Sequence, residues 1–210
     1  MHPKDIFFEG IKGVCHVGAW DGAEIETYYN NGVELIVWVE PISTVFSRLI
    51  KNTCSYNINQ FWLPLCLSNE NDIVVNFNIT NNGESSSFME LGKLHKETYP
   101  HIISEYSVKL LTTRFDSYYK RQSEFDWSNI NLLNIDCQGA DLKVLQGFGD
   151  LLKSPTLTYI KSEVNYGEMY VDNPSEDDID NFLQKFNYSK HSWYRVDNGS
   201  WGDITWKKNN

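Results

Sequence analysis

The chain is poor in basic residues. Its 210 residues contain 18 Lys and Arg against 28 Asp and Glu, which gives a formal net charge of −10. Contacts to a phosphate backbone depend on Lys and Arg, so this balance disfavours nucleic acid as a partner. We therefore predict that the chain acts on something other than RNA or DNA.

The chain also lacks the patterns of zinc sites, export signals and membrane spans. Its four cysteines form no CxxC pair and have no His at zinc-site spacing, which predicts mostly small buried thiols. The segment "MHPKDIFFEG" contains no apolar core of a signal peptide. No apolar run approaches the length of about 20 residues that a membrane span needs. These absences predict a cytoplasmic protein without a membrane span.

What the sequence does contain is an alternation of strand and helix patterns. Apolar, β-branched runs such as "ELIVWVE" and "INLLNID" alternate with helical patterns such as "STVFSRLIKN" and "CQGADLKVLQGF". Alternating βα units predict an α/β fold with a mostly parallel central sheet and helices on both faces. Two final strand patterns joined by an Asn-Gly turn predict a C-terminal antiparallel hairpin.

The stretch "GVCHVGAWDGAE" raises the question of a ligand. It is a buried strand pattern, a turn with Gly18 and Gly22, and a predicted helix from about Ala23 to Asn30. Glycines let the backbone of such a turn approach a ligand closely. An acid about 20 residues further on typically binds ribose hydroxyls, and Glu40 stands there at the end of the second strand.

The loop is a poor match for a dinucleotide. The usual fingerprint places a second glycine two positions after the first, where it admits a pyrophosphate, but this chain has the bulky Trp20 there. A cofactor with ribose and adenine but no pyrophosphate fits better. S-adenosylmethionine has that composition.

Further blocks follow in the order seen in one known family. After "HVGAWDGAE" come "VWVEP", "LPLCLSNENDIVVNF", "GESSSF", "LLNIDCQGADLKVLQGF", "SEVN" and "WGDITW". In this order they resemble the FkbM-type methyltransferases, over about residues 13–207. The resemblance implies a Rossmann-like, S-adenosylmethionine-dependent fold and O-methylation of sugars or other hydroxyl-bearing products. It implies one domain over residues 1–210, which could also be one part of a larger glycan-building enzyme.

The resemblance also implies roles for individual residues. The methionyl end of the cofactor would lie on the first loop, the ribose on Glu40, and the adenine beside the end of the third strand. A serine loop would lie near the cofactor, and the Asp136 block would match the family's Asp-x-Glu-Gly-x-Glu pattern. The residues implied for the cofactor are His16, Gly18, Ala19, Asp21, Gly22, Glu40, Pro41, Ile42, Cys66, Leu67, Ser68, Ser86 (within Ser85–Ser87) and Asp136.

The chain departs from the family pattern at two positions. His16 stands where the family usually has Asp, and Gln138 stands where it often has Glu. An imidazole at position 16 can accept a hydrogen bond from the cofactor's ammonium only while it is neutral. We therefore predict that cofactor affinity falls as the pH drops through the pKa of His16.

Methyl transfer to a hydroxyl needs a base or a metal to remove the proton. Asp136 and Glu163 end two strands that the resemblance places side by side, which makes them the candidate catalytic residues. Together with Asn165 they also predict a Mg²⁺ or Mn²⁺ site. The alternative is that Asp136 caps a helix and Glu163 belongs to an ordinary hydrogen-bonded pair. His191 is a third candidate base, although its strand pattern favours a structural role.

Tyr166 and Tyr170 are the candidate acceptor-binding residues, because aromatic rings stack on the apolar faces of sugars. The predicted function is O-methylation of a sugar hydroxyl of a glycan or glycosylated product. Two alternatives stay open: a scaffold that binds the cofactor without catalysis, and an oxidoreductase that binds NAD or a nucleotide-sugar.

Overall fold

The computed structural model describes residues 10–122 and 124–209. The residues before Gly10, where we predict no export signal, lie outside it. The described residues form ten strands, six α-helices and two short 3₁₀ helices, at Trp127–Asn129 and Gly149–Lys153. In chain order the strands and α-helices are β1 (Gly13–Val17), α1 (Ile25–Asn30), β2 (Leu35–Val39), α2 (Ser43–Thr53), β3 (Asn59–Leu63), β4 (Cys66–Leu67), β5 (Val74–Thr80), α3 (Lys93–Thr98), β6 (Ser104–Thr113), α4 (Phe115–Gln122), β7 (Leu132–Ile135), α5 (Asp141–Phe148), β8 (Tyr159–Asn165), α6 (Glu176–Gln184), β9 (Tyr188–Arg195) and β10 (Trp201–Lys208).

Seven strands form the central sheet, in the order β3-β2-β1-β7-β8-β10-β9. The first five are parallel, and β10 runs antiparallel to both β8 and β9. The predicted α/β fold with a parallel sheet and a closing hairpin is confirmed. The strand order reverses between β1 and β7, so the crevice at the carboxyl ends of these strands is where such a sheet binds ligands.

Apolar side chains cover both faces of this sheet, which explains the continuous hydrophobic runs of its central strands. On one face Val14, Ile36 and Trp38 pack with the α1 residue Tyr28. On the other face the larger core contains residues of α5 and α6 and the inward side chains of the hairpin. Ser175 caps α6 and forms a capping box with Asp178.

The stretch "FWLPLCL" is predicted as a third strand with an irregularity or an edge position at Pro64, and the structure has two strands there, in different sheets. Pro64 follows β3, and β4 pairs with β6 in a second sheet of order β4-β6-β5. Proline cannot donate to a strand ladder, which accounts for the break. The start of α1 also differs from the prediction, because the helix begins at Ile25 and has only six residues.

Helices able to cross a bilayer are absent from the part of the chain that the structure describes.

Candidate cofactor and acceptor site

Two adjoining cavities open at the carboxyl ends of β1, β2, β7 and β8. Cavity A has a volume of about 110 Å³ and is bounded by β1, β2, β4 and the ribbon of β5 and β6. Cavity B has a volume of about 420 Å³ and extends from β7 and β8 towards α3 and β10. The residues that line both cavities are Gly18, Trp20, Glu84, Asp136 and Gln138.

Gly18 and Gly22, in the loop after β1, lie where other segments of the chain leave no room for a side chain. Gly18 has a φ of +76°, and a Cβ atom there would overlap the backbone carbonyl oxygen of Asp136. Gly22 has a φ of +77°, and a Cβ atom there would collide with the side chains of Leu49 and Thr53 on α2. The absence of a side chain at Gly18 therefore allows the loop after β1 to contact the loop after β7. At Gly22 it allows the loop after β1 to pack against α2.

Glu40 is the buried carboxylate of cavity A, with 6% of its surface exposed. Its Oε1 accepts the backbone N–H of Ile42 at 2.8 Å, and its Oε2 accepts that of Trp20 at 3.2 Å. Burial raises the pKa of Glu40 to about 7, although both hydrogen bonds and Arg48 act in the opposite direction. Each oxygen keeps a lone pair with which it can accept a ligand hydroxyl.

Most residues implied for the cofactor line the cavities. Cavity A includes Gly18, Glu40, Pro41, Ile42, Cys66, Leu67, Ser86 and Asp136, and cavity B includes His16, Ala19 and Ser85. Asp21, Gly22 and Ser68 line neither cavity. The backbone carbonyl of Asp21 accepts a hydrogen bond from Asn52, and the hydroxyl of Ser68 donates one to Asn69.

Asp136 and Glu163 lie on neighbouring parallel strand ends, as expected, and one amide joins them. The Nε2 of Gln138 donates to Asp136 at 2.6 Å and to Glu163 at 3.3 Å. Its Oε1 accepts the hydroxyl of Tyr170 at 2.5 Å. Asn165 donates its own amide N–H to Glu163 at 3.2 Å. Gln138 adopts the left-handed conformation, with a φ of +51°, in the turn that aims it at both carboxyls.

The two carboxyls differ in their affinity for a proton. Asp136 is open to both cavities, yet the surrounding protein removes enough water to raise its pKa to about 6, and Asp203 acts in the same direction. Glu163 is buried, so its pKa lies well above the ordinary value, and repulsion by Asp136 adds to this effect. Glu163 therefore holds a proton more strongly than Asp136, and Asp136 is the first of the two to ionise as the pH rises.

The predicted metal site does not fit these contacts. A cation shared by Asp136 and Glu163 would lie between their oxygens, where the N–H groups of Gln138 lie. Asn165 directs an N–H group at Glu163, whereas a metal would need its carbonyl oxygen. Over residues 10–122 and 124–209, no group of three His, Cys, Asp or Glu side chains is placed to hold a metal ion.

His16 lines cavity B but is almost fully buried, with 3% of its surface exposed. Its Nδ1 lies 3.1 Å from the Tyr28 hydroxyl, and its ring packs against Trp38. Burial lowers the pKa of His16 to about 3, and the charge of Lys161 contributes. The imidazole is therefore neutral from pH 5 to 8. The loss of cofactor affinity that protonation of His16 would cause is accordingly expected only below this range.

Of the two tyrosines predicted for the acceptor, Tyr170 lines cavity B and Tyr166 does not. The ring of Tyr166 lies under the Arg195 guanidinium at 3.7 Å. His191 is an exposed residue of the edge strand β9, with its ring 5.8 Å from that of Tyr159, and it lies outside both cavities.

Sequence reasoning missed several residues of cavity B, among them His95, Tyr99 and Trp201. His95 on α3 packs between Tyr99 and Tyr170, and Trp201 begins β10. The ring Nδ1 of His95 is buried without a hydrogen-bond partner in the described residues, and burial lowers the pKa of this imidazole. The sequence indicates Trp20 only as an obstacle to pyrophosphate. Trp201 begins the "WGDITW" block, but no local pattern indicates that it shares a cavity with His95 and Tyr99, which lie about 100 residues earlier in the chain.

Comparison with known proteins agrees with this architecture. The family described as methyltransferase FkbM domain matches residues 14–190. No curated protein sequence matches the chain.

Solved structures of low identity share the fold. Magnesium protoporphyrin IX methyltransferase from Synechocystis PCC 6803, solved with bound S-adenosylmethionine, is 7% identical, with a TM-score of 0.52 over 96% of this chain and 73% of that one. TrmK of M. capricolum, with S-adenosylhomocysteine, is 11% identical, with a TM-score of 0.52 over 100% and 69%. The tRNA methyltransferase homologue Sp1610 of Streptococcus pneumoniae is 10% identical, with a TM-score of 0.52 over 96% and 65%. The fold is thus that of Rossmann-like methyltransferases.

Proposed function

Because this chain belongs to the FkbM methyltransferase family, whose activity is S-adenosylmethionine-dependent methylation, we propose that it methylates a sugar hydroxyl of a glycan or glycosylated product. The observation that carries the proposal is the junction of the two cavities. Cavity A contains a buried carboxylate suited to a ribose, and it meets cavity B at Asp136, which can accept a proton. A cofactor in cavity A would thus present its methyl group to an acceptor in cavity B.

In this proposal Glu40 binds the two ribose hydroxyls, since it already accepts two backbone N–H groups and retains lone pairs. The adenine lies in the apolar part of cavity A beside Cys66 and Leu67. The methionyl end follows Gly18 and Ala19 towards cavity B. This order places the sulfonium at the shared wall of the cavities.

The acceptor proposal is supported by the chemistry of cavity B. Tyr99, Tyr170 and Trp201 provide rings for the apolar faces of a sugar. Among the described residues that line the cavity, the acids are Glu24, Glu84, Asp136 and Glu163, and there is no Lys or Arg. A phosphate-bearing acceptor would be repelled there, which favours a neutral sugar over RNA.

The reaction is an in-line displacement. The acceptor oxygen forms a bond to the methyl carbon as the bond from that carbon to sulfur breaks, and S-adenosylhomocysteine leaves. Asp136 accepts the hydroxyl proton as general base. The N–H groups of Gln138 hold the Asp136 carboxylate in place beside Glu163. Glu163 retains its own proton and so leaves Asp136 as the ionised member of the pair.

Metal assistance by Mg²⁺ or Mn²⁺ is the competing form of this mechanism. The Gln138 bridge argues for transfer without a metal, because it places N–H donors where a cation would need oxygen ligands. Turnover measured after rigorous treatment with EDTA, with and without added Mg²⁺ or Mn²⁺, decides between the two. We expect full activity after chelation, and activity that returns only with a metal would establish the metal site.

The first test of the proposed function is titration calorimetry with S-adenosylhomocysteine. The wild type should bind it, and Glu40→Ala should lose at least about two orders of magnitude in affinity, since charge-assisted hydrogen bonds to two hydroxyls are lost. Absence of binding by the wild type would refute the central proposal.

The second test identifies the acceptor. The enzyme and S-adenosylmethionine are incubated separately with candidate oligosaccharides and with tRNA, and mass spectrometry detects the gain of one methyl group. Methylation of an oligosaccharide supports the proposal. Methylation of tRNA alone would replace the sugar acceptor with RNA, and binding of cofactor without transfer to any acceptor would favour the scaffold alternative.

A further inference from the structure

Trp20 occupies a strained position at the wall shared by the cavities. Its backbone has a φ of +44°, in the left-handed region that a bulky residue rarely adopts. The Trp20 N–H donates to the buried Glu40 carboxylate at 3.2 Å, which helps to hold this conformation. A costly conformation that the surroundings enforce often marks a functional residue.

The indole of Trp20 lines both cavities, and its Nε1 is buried without a hydrogen-bond partner in the described residues. A buried donor without an acceptor is costly, so such groups are rare unless a ligand completes them. A Cβ atom at Gly83, which also lines cavity A, would lie 3.4 Å from Nε1. The glycine therefore keeps side-chain atoms away from this donor.

Several donors near the junction are already engaged. The backbone N–H groups of Gly18 and Ala19 donate to the Val39 carbonyl at 3.0 and 3.1 Å. The Gln138 amide donates to the two carboxyls. The indole Nε1–H of Trp20 is a buried donor at the junction that these contacts leave available.

The charged groups at the junction favour different positions for the ammonium and the carboxylate of a bound amino acid. Glu84 and Asp136 line both cavities and attract an ammonium group. A carboxylate needs a donor away from these acids. The Arg48 guanidinium lies over the Trp20 ring at 5.6 Å and makes this side of the junction more favourable for negative charge.

We propose that the indole Nε1–H of Trp20 binds the α-carboxylate of the cofactor's methionyl portion. The inference rests on the proposed function, because it takes the ligand of cavity A to be S-adenosylmethionine. Trp20 then has two roles: its backbone positions the ribose-binding Glu40, and its side chain binds the opposite end of the same ligand.

The test compares two ligands that differ in the amino-acid portion. Titration calorimetry is performed with S-adenosylhomocysteine and with methylthioadenosine, which lacks that portion, on the wild type and on Trp20→Phe. We expect Trp20→Phe to weaken binding of S-adenosylhomocysteine about 10-fold or more and binding of methylthioadenosine less than about 2-fold. Trp193→Phe, at a tryptophan that is 74% exposed, is the matched control and should change neither affinity.

Trp20→Asn is the second variant, because Asn tolerates the left-handed conformation and retains an N–H donor. It should keep more of the preference for S-adenosylhomocysteine than Trp20→Phe does. Equal losses for both ligands, or no loss, would overturn the inference while leaving the proposed function intact. If the wild type binds neither ligand, the proposed function itself fails.

Discussion

Cavities A and B share a wall but are built in different ways. In cavity A the buried carboxylate of Glu40 is fixed by two backbone N–H groups, and many of the lining residues are apolar. In cavity B the acids and amides are held by one another, through side chains from β7, β8 and the turn before α5. A site fixed by backbone depends on the fold, whereas a site fixed by side chains can change with a few substitutions.

In the proposed function, this difference separates the residues that bind the cofactor from those that support methyl transfer. Glu40 lines cavity A only, and Glu163 lines cavity B only, so variants of the two should affect different measurements. The junction at Gly18 and Asp136 is where a single change should damage both cavities.

Gly18→Ala should have the largest effect. The new Cβ would overlap the Asp136 carbonyl, and the φ of +76° disfavours any other residue, so we expect a loss of about 4 kcal/mol or more in the free energy of unfolding, or no folding at all. Gly32→Ala is the matched control, because Gly32 has a φ of +73° but an open surrounding. It should cost only about 1–2 kcal/mol in urea unfolding. Equal losses for the two variants would show that the β1 and β7 loops do not depend on this close contact.

Glu163→Gln and Glu40→Gln should separate the cavities. We expect Glu163→Gln to lower turnover by about 10-fold, because its amide nitrogen cannot accept the N–H group of Gln138 or Asn165 that a Glu163 oxygen accepts and the support of Asp136 is weakened, and to leave the Kd of S-adenosylhomocysteine within about 2-fold. Glu40→Gln should raise that Kd by about 10-fold or more, because a neutral amide is a weaker acceptor for ribose hydroxyls. Calorimetry and initial rates measure the two effects, and a Glu163→Gln variant that loses the cofactor would contradict the division.

Cofactor affinity should depend on pH through Glu40. Its pKa of about 7 in the free protein means that it is partly protonated below neutral pH. Ribose hydroxyls bind best to the ionised form, so binding releases a proton and affinity rises with pH, by about 10-fold between pH 6 and 8. Calorimetry of S-adenosylhomocysteine across this range measures the effect.

Two variants distinguish the source of this dependence. Glu40→Gln should remove it, whereas His16→Asn should keep it, because His16, with a pKa of about 3, does not titrate there. If the affinity of His16→Asn for S-adenosylhomocysteine did not change with pH, the pH dependence would have to be assigned to His16.

Tyr170→Phe should have the smallest effect. It removes the hydroxyl that donates to Gln138 but keeps the ring that packs on Gly139. We expect turnover to fall about 5-fold, which corresponds to one hydrogen bond, with the Kd of S-adenosylhomocysteine unchanged. Tyr166→Phe lies outside cavity B and should leave both measurements unchanged. Equal effects of the two variants would argue against the Tyr170 hydroxyl as a support of the Gln138 bridge.

The sequence predicted the fold and the edge of the sheet at which the two cavities open, because strand patterns and their last residues are local features. Glu40 and Asp136 are recognisable as acids that follow apolar runs. Pairing of β7 with β8 then brings Glu163 beside Asp136, as expected. The metal prediction rested on the same acids but could not account for Gln138, whose left-handed backbone aims its amide between them.

By itself, the amino-acid sequence determined the order of the βα units, the family, and the acids at the strand ends, since these follow from hydrophobic period and short motifs. Only the tertiary structure decided that His95, Tyr99 and Trp201 share a cavity, and that His16 is buried with a low pKa. It also decided that the Nε1 of Trp20 has no partner in the described residues. Burial and hydrogen-bond partnership depend on segments far apart in the chain, and no local pattern encodes them.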